Sequence, residues 1–253
     1  IVRKVFKQVE YNSLIISVLQ GILTGMLIPE TFPVVTVFFA VFFTMFIIKY
    51  LFGGFSLSWI NPVVFVIAVL WFVGGNLFPD FLVTTDFLCS RNPSQLLIDS
   101  GVFPISGFDS SVTETLNNTV FDLFKVSIPE GYVSLFWDTH SVIPAFRFNF
   151  ITLLSSIILF GTDLIKLIIP STFLVVYLVL VRFLSPLFCN GIPYQGDMLL
   201  AMLTSGTLFY ATFVLQSHGT LPISVVGKVL YGVFAGIFAF VITGCGTSST
   251  GMA

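Results

Sequence analysis

Charge is what this sequence lacks. Only 22 of its 253 residues are Lys, Arg, Asp or Glu, about 9%, where a soluble globular domain carries roughly 25%. Hydrophobic residues make up 56% and Phe alone fills 31 positions, with a mean hydropathy of +1.04. A soluble fold of this size could not solvate its surface with so few charges. Soluble enzymes, nucleic-acid binders and disordered chains each need a polar exterior, so all three classes are excluded. Cysteine is scarce too: Cys89, Cys189 and Cys245 stand far apart and make no CxxC or other metal spacing, which leaves no framework for an iron–sulfur cluster. There is no signal-peptide pattern, and a chain running from Ile1 to Ala253 without a polar cap reads as a segment of a longer protein.

What is present is a series of uncharged runs. About 20 apolar residues cross a bilayer, and the runs between charges predict an all-α polytopic membrane protein. Its seven spans fall near 12–29, 32–48, 61–79, 147–162, 166–184, 198–216 and 228–245. The runs before Asp163 and between Lys166 and Arg182 hold 15 residues each, short enough that Arg147, Lys166 and Arg182 must snorkel at their ends. Organisation follows: a membrane part over 1–79 with three spans, a polar segment over 80–146, and a membrane part over 147–253 with four.

Sidedness follows from Lys and Arg in short loops. Arg3, Lys4 and Lys7 place the N-terminus in the cytoplasm, and threading from there puts Lys49, Lys166 and Lys228 on the same side. The 80–146 segment then falls outside, with eight acidic residues against only Arg91 and Lys125.

Two stretches make poor helices. Gly53-Gly54 followed by Asn61-Pro62 is one; Gln216-Ser217-His218-Gly219 with Pro222 is the other. Irregular backbone survives at membrane depth only where it is buried or lines a cavity. One interruption in each half is the pattern of inverted repeats around a central site, although ordinary Gly and Pro loops leave the same marks. Asn61 and the Gly53–Gly54 pair are the candidate cofactor or ion residues within the membrane. His218, the titratable group nearest such a break, is a candidate for proton or ion passage, but a satisfied interfacial histidine in a cytoplasmic turn is the stronger reading.

At 67 residues, the outer segment is too long for a plain connector. Ser111 and Glu114 have capping-box spacing, S-x-x-E. Val112, Leu116, Val120, Leu123 and Phe124 follow with amphipathic helical spacing, which predicts a short helix on the membrane surface. His140 reads as a surface histidine, and Asp163 with Lys166 as an i, i+3 ion pair.

Four stretches carry a family resemblance. Leu23-Thr24-Gly25 with Pro29 resembles T-G-x-L-x-x-x-x-P, slightly shortened. Lys49-Tyr50-Leu51-Phe52-Gly53-Gly54 with Asn61-Pro62 resembles K-x-x-F-G-G followed by N-P. The stretch from Leu203 to Phe213 resembles L-x-S-G-G-x-L-F-x-A-F-F. Pro222 with Gly227-Lys228 and Tyr231-Gly232 resembles P-x-x-x-x-G-R/K-x-x-F-G. In this order and spacing they are similar to the RnfD/NqrB-like family. Its members are membrane subunits of the Rnf electron-transport complex and of the sodium-translocating NADH:quinone oxidoreductase.

That resemblance implies an ion-translocating (Na⁺ or H⁺) electron-transport complex with other subunits as partners, a bilayer around the chain, and no nucleic acid. It implies FMN joined by a phosphoester to Thr115, in a segment resembling D-x-x-S/T-G-A-T that starts at Asp109, and it allows a second flavin. The segment departs from the pattern: Val112 stands for Ser or Thr, Thr113 for Gly and Glu114 for Ala. The T-D-P and G-S-I-G-E-T stretches of the family have no clear counterpart here. Two other readings stay open, a passive small-solute transporter or channel with the same broken helices, and a structural subunit that has lost its flavin.

Overall fold

The computed structural model describes residues 2–51, 60–78, 96, 99–101, 104–188, 191–194, 196–216 and 221–246. Among the described residues all regular structure is helical. Helices α1 (Val2–Leu27), α2 (Val34–Leu51) and α3 (Pro62–Gly74) come first, α3 ending in a 3-10 turn to Leu77. The polar 80–146 segment contributes α4 (Asp109–Leu116) and α5 (Tyr132–Trp137). Then come α6 (Asn149–Gly161), α7 (Ile168–Phe183), the single turn α8 (Ser185–Phe188), α9 (Met198–Thr204), α10 (Thr207–Phe209) and α11 (Val225–Ile242).

Helix α11 is long and apolar enough to cross a membrane; the apolar stretches Ile15–Leu27, Val34–Ile48, Pro62–Leu77, Asn149–Gly161 and Ile168–Phe183 are shorter. The helices are apolar on their outer faces as well. Phe38, Phe39, Phe42 and Phe43 of α2 are all more than half exposed, and Phe42 stacks on Phe38 and Phe46 one turn away on either side. A helix apolar all round belongs in lipid or in a deep core. The inward faces of both membrane parts meet in one cluster that includes Leu27, Val66, Leu70, Phe146, Phe173, Tyr177 and Ala211.

Helices α7 and α11 pack closely because glycine lets them. A Cβ on Gly232 would stand 2.0 Å from Thr172 Oγ1, and one on Gly236 would stand 3.0 Å from the Phe173 carbonyl. Small residues four apart let two backbones approach where lipid offers no hydrophobic drive. Gly232→Leu forces the pair apart, and overpacking of this kind costs about 1–3 kcal/mol. A lower unfolding temperature in detergent, with Gly21→Leu on the open face of α1 nearly unchanged, is the expected comparison.

The chain breaks where its hydropathy predicts one continuous span over 198–216. Helix α9 stops at Thr204, Gly206 takes a left-handed φ of 76°, and α10 leads directly into a π-helical turn, Tyr210–Val214. A side chain at Gly206 would run into the Phe146 ring, 2.4 Å away. The hydroxyls of the break pair among themselves: Ser205 Oγ and Thr207 Oγ1 are 2.9 Å apart, and Thr207 donates to the Met202 carbonyl at 3.0 Å. The break is therefore buried and its polar groups are satisfied, as irregular backbone at membrane depth requires.

Candidate functional site

The polar 80–146 segment is organised around one carboxylate. Asp109 is wholly buried, and its Oδ1 accepts from the Gly131 amide at 2.8 Å and the Thr113 hydroxyl at 3.2 Å. Its Oδ2 accepts from the Ser134 amide at 2.6 Å and the Ser134 hydroxyl at 2.5 Å. Gly131 and Ser134 are the N-cap and N3 positions of α5, which has no side-chain cap of its own. Asp109 supplies that cap from 22 to 25 residues away, satisfying amides that a helix start leaves unpaired and placing a negative charge at the helix N-terminus, where it is favoured.

This arrangement corrects the capping-box expectation. Helix α4 begins at Asp109, two residues before Ser111, and its N-cap, Phe108, makes no side-chain bond. Ser111 uses its carbonyl instead, accepting from the Thr115 hydroxyl at 2.8 Å, and the Thr119 hydroxyl donates in the same way to the Thr115 carbonyl. Beyond Leu116 the helix loosens into the π turn Asn117–Phe121 and a 3-10 turn ending at Phe124. Asn117 fastens this stretch by donating to the Ile128 carbonyl and accepting from its amide, both at 2.9 Å.

The three candidates of the outer motif thus divide. Asp109 and Thr113 are buried together beneath α4, while Thr115 and its neighbour Glu114 are exposed. Thr115 is an accessible secondary hydroxyl on an ordered helix, so the donor fits a phosphoester; the buried pair holds the helix that carries it.

Within the membrane part, Asn61 is the N-cap of α3: its Oδ1 accepts from Val63 N at 3.0 Å. Its Nδ2 reaches across to the Val214 carbonyl, in the π turn of the other membrane part, at 3.2 Å. Asn61 is therefore a brace between the two parts. Gly53, Gly54 and His218 lie outside the described residues.

Several residues of this architecture carry no functional signal in the sequence. Asn149, almost fully buried, donates to the Leu203 carbonyl at 2.9 Å and the Leu135 carbonyl at 3.3 Å. Asp197 caps α9 through Leu200 N at 2.9 Å and accepts the Tyr132 hydroxyl of α5. Asp197 directly before an apolar run is a legible cap signal; its partner Tyr132, 65 residues away, is not.

Asp138 closes the polar segment onto the start of α6. Arg147 Nε lies 3.2 Å from Asp138 Oδ1, the His140 amide donates to the same oxygen at 2.7 Å, and the His140 ring nitrogen stands 3.2 Å off. Burial pushes the Asp138 carboxyl up, but the His140 amide, the Arg147 guanidinium and the His140 ring outweigh it and leave it below the ordinary 3.8. A depressed carboxyl stabilises the fold above its unfolded value and loses that contribution as pH falls through the folded one. Arg147→Gln should lower the unfolding temperature near neutral pH, and the gap to the parent should close as pH falls through the depressed Asp138 carboxyl. Among the described residues Asp163 and Lys166 form no ion pair; Asp163 has a left-handed φ of 55°, which takes it off the helical spacing the pair needs.

Curated proteins and solved structures offer no match to the chain. A family model does match, and along its whole length. By that match over residues 1–253, the chain belongs to the NQR2, RnfD, RnfE family of membrane subunits.

Proposed function

We propose that the chain is the flavin-bearing membrane subunit of an Rnf- or Nqr-type electron-transport complex that couples electron flow to movement of Na⁺ or H⁺. It crosses the inner (cytoplasmic) membrane seven times, with its N-terminus in the cytoplasm and residues 80–146 outside. The observation that carries this reading is the exposed Thr115 hydroxyl on a helix whose underside is locked by buried Asp109.

FMN, when bound, supplies the redox centre. The chain's own residues do the holding: Thr115 gives the hydroxyl, and Asp109 with Thr113 keeps α4 fixed on α5. Iron–sulfur centres belong to partner subunits, since the three cysteines form no cluster motif.

Exposed Glu114 beside Thr115 favours a second reading, a structural subunit without flavin. Co-expression with a flavin transferase separates the two. Covalent yellow fluorescence in the denatured band supports the flavin subunit, and a dark band supports the structural one. Solute flux by the chain alone in liposomes, with a dark band, would support a passive transporter instead.

A further inference from the structure

We infer that the apolar face of the α4 segment lies in the outer lipid–water interface, so that Thr115 rides at the membrane surface. Phe108, Val112, Leu116 and Val120 stand four residues apart, and Leu123 and Phe124 continue the row. This row is not spent on the chain's own core: Val112 is 37% exposed, Val120 44%, Phe124 72% and Leu123 79%. In an α-helix a row of i+4 residues drifts by about 40° per step. The π turn Asn117–Phe121 has more residues per turn and counters that drift, keeping Val120 above Val112.

The lipid is argued from continuity. The Phe108 ring packs edge-on against Trp137 at 6.2 Å, and Trp137 stacks on Phe150 at 5.5 Å. Phe150 lies in the first turn of α6, whose Ile151, Leu154, Ile157 and Ile158 all point outward. Trp137, the last residue of α5, packs at the start of that helix, and a Trp in such a position marks the level of the lipid headgroups. The exposed row therefore starts at the membrane boundary and runs on from a surface that is already lipid-facing. Ser111, Thr115 and Thr119 form the neighbouring row, joined by Thr115 and Thr119 donating to carbonyls four residues back. That row borders the apolar one, while Glu114 and Asn118 lie on the far side. Acidic residues dominate 80–146, so the fitting surface is zwitterionic lipid and not an anionic one.

The inference rests on the outer placement of 80–146 proposed above, but not on modification of Thr115. The test uses the full chain with Cys89, Cys189 and Cys245 changed to Ser, in phosphatidylcholine nanodiscs. Nitroxide labels are attached at Leu123→Cys, Val120→Cys or Asn118→Cys, and their relaxation by oxygen is compared with that by a water-soluble nickel chelate. The labels at 123 and 120 should favour oxygen several-fold over the label at 118, which should favour the chelate. Equal chelate access at all three positions overturns the inference. So does protection of 123 and 120 from both agents, which marks a protein partner on this face. Flavin is not read in this experiment, so an unmodified Thr115 leaves its outcome untouched.

Discussion

Thr115→Ala is expected to abolish covalent flavin fluorescence in the denatured protein, while Thr119→Ala should retain it. The three threonines sit within seven residues of sequence, yet the fold treats them differently. The Thr113 hydroxyl is buried and donates to Asp109, and that of Thr119 is turned to the Thr115 carbonyl. Only Thr115 joins exposure to the six-residue offset from Asp109 that the resemblance requires. Its own bond, to the Ser111 carbonyl, is an exposed one that water can replace, so its loss costs about 0.5 kcal/mol or less. The variant should therefore keep the parent's unfolding temperature and protease resistance, and the loss of fluorescence cannot be assigned to misfolding. Fluorescence that survives Thr115→Ala sinks the assignment.

Asp109→Ala is expected to act in the opposite order, through structure first. Removing the carboxylate strands the amides of Gly131 and Ser134 and the Ser134 hydroxyl in a buried site. An unsatisfied buried polar group costs about 1–3 kcal/mol, so the sum is roughly 4 kcal/mol after local relaxation. That exceeds what an outer segment of short helices can absorb. The 104–137 region should become sensitive to protease added from outside while the membrane helices stay intact, and flavin incorporation should fall with it. Asp109→Asn keeps the volume but turns an N–H group toward amides that need an acceptor, so it should be nearly as damaging. Protease resistance equal to the parent's in both variants would refute the role given to Asp109.

How much of this can be read from the chain alone depends on range. The helices over 34–51, 62–77, 149–161, 168–183 and 225–242 follow from where charges are missing, because the cost of burying charge is a local property. Helix α4 is legible from its own spacing. Its start is not: Ser111 and Glu114 match a local rule, but Asp109 is drawn to α5 by amides more than twenty residues on. Asn61 stands out for its Pro-linked position, and the structure supplies the reason in Val214, 153 residues later. The break at Ser205–Gly206 hides inside a 30-residue uncharged run, since hydropathy is blind to a left-handed glycine and the ring of Phe146 behind it.

The braces of Asn61 and Asn149 also set an order of biogenesis. Asn61 enters the membrane long before Val214 is synthesised, and Asn149 waits 54 residues for the Leu203 carbonyl. During that interval the Asn61 amide lacks the Val214 carbonyl and Asn149 has only the Leu135 carbonyl, and an unmet polar group out of water is costly. The first three helices must therefore be held in a provisional arrangement until the C-terminal part arrives. A chain arrested before residue 203 would carry the donor halves of both clasps without these acceptors, and it is the nascent form that quality control in the membrane would be expected to recognise.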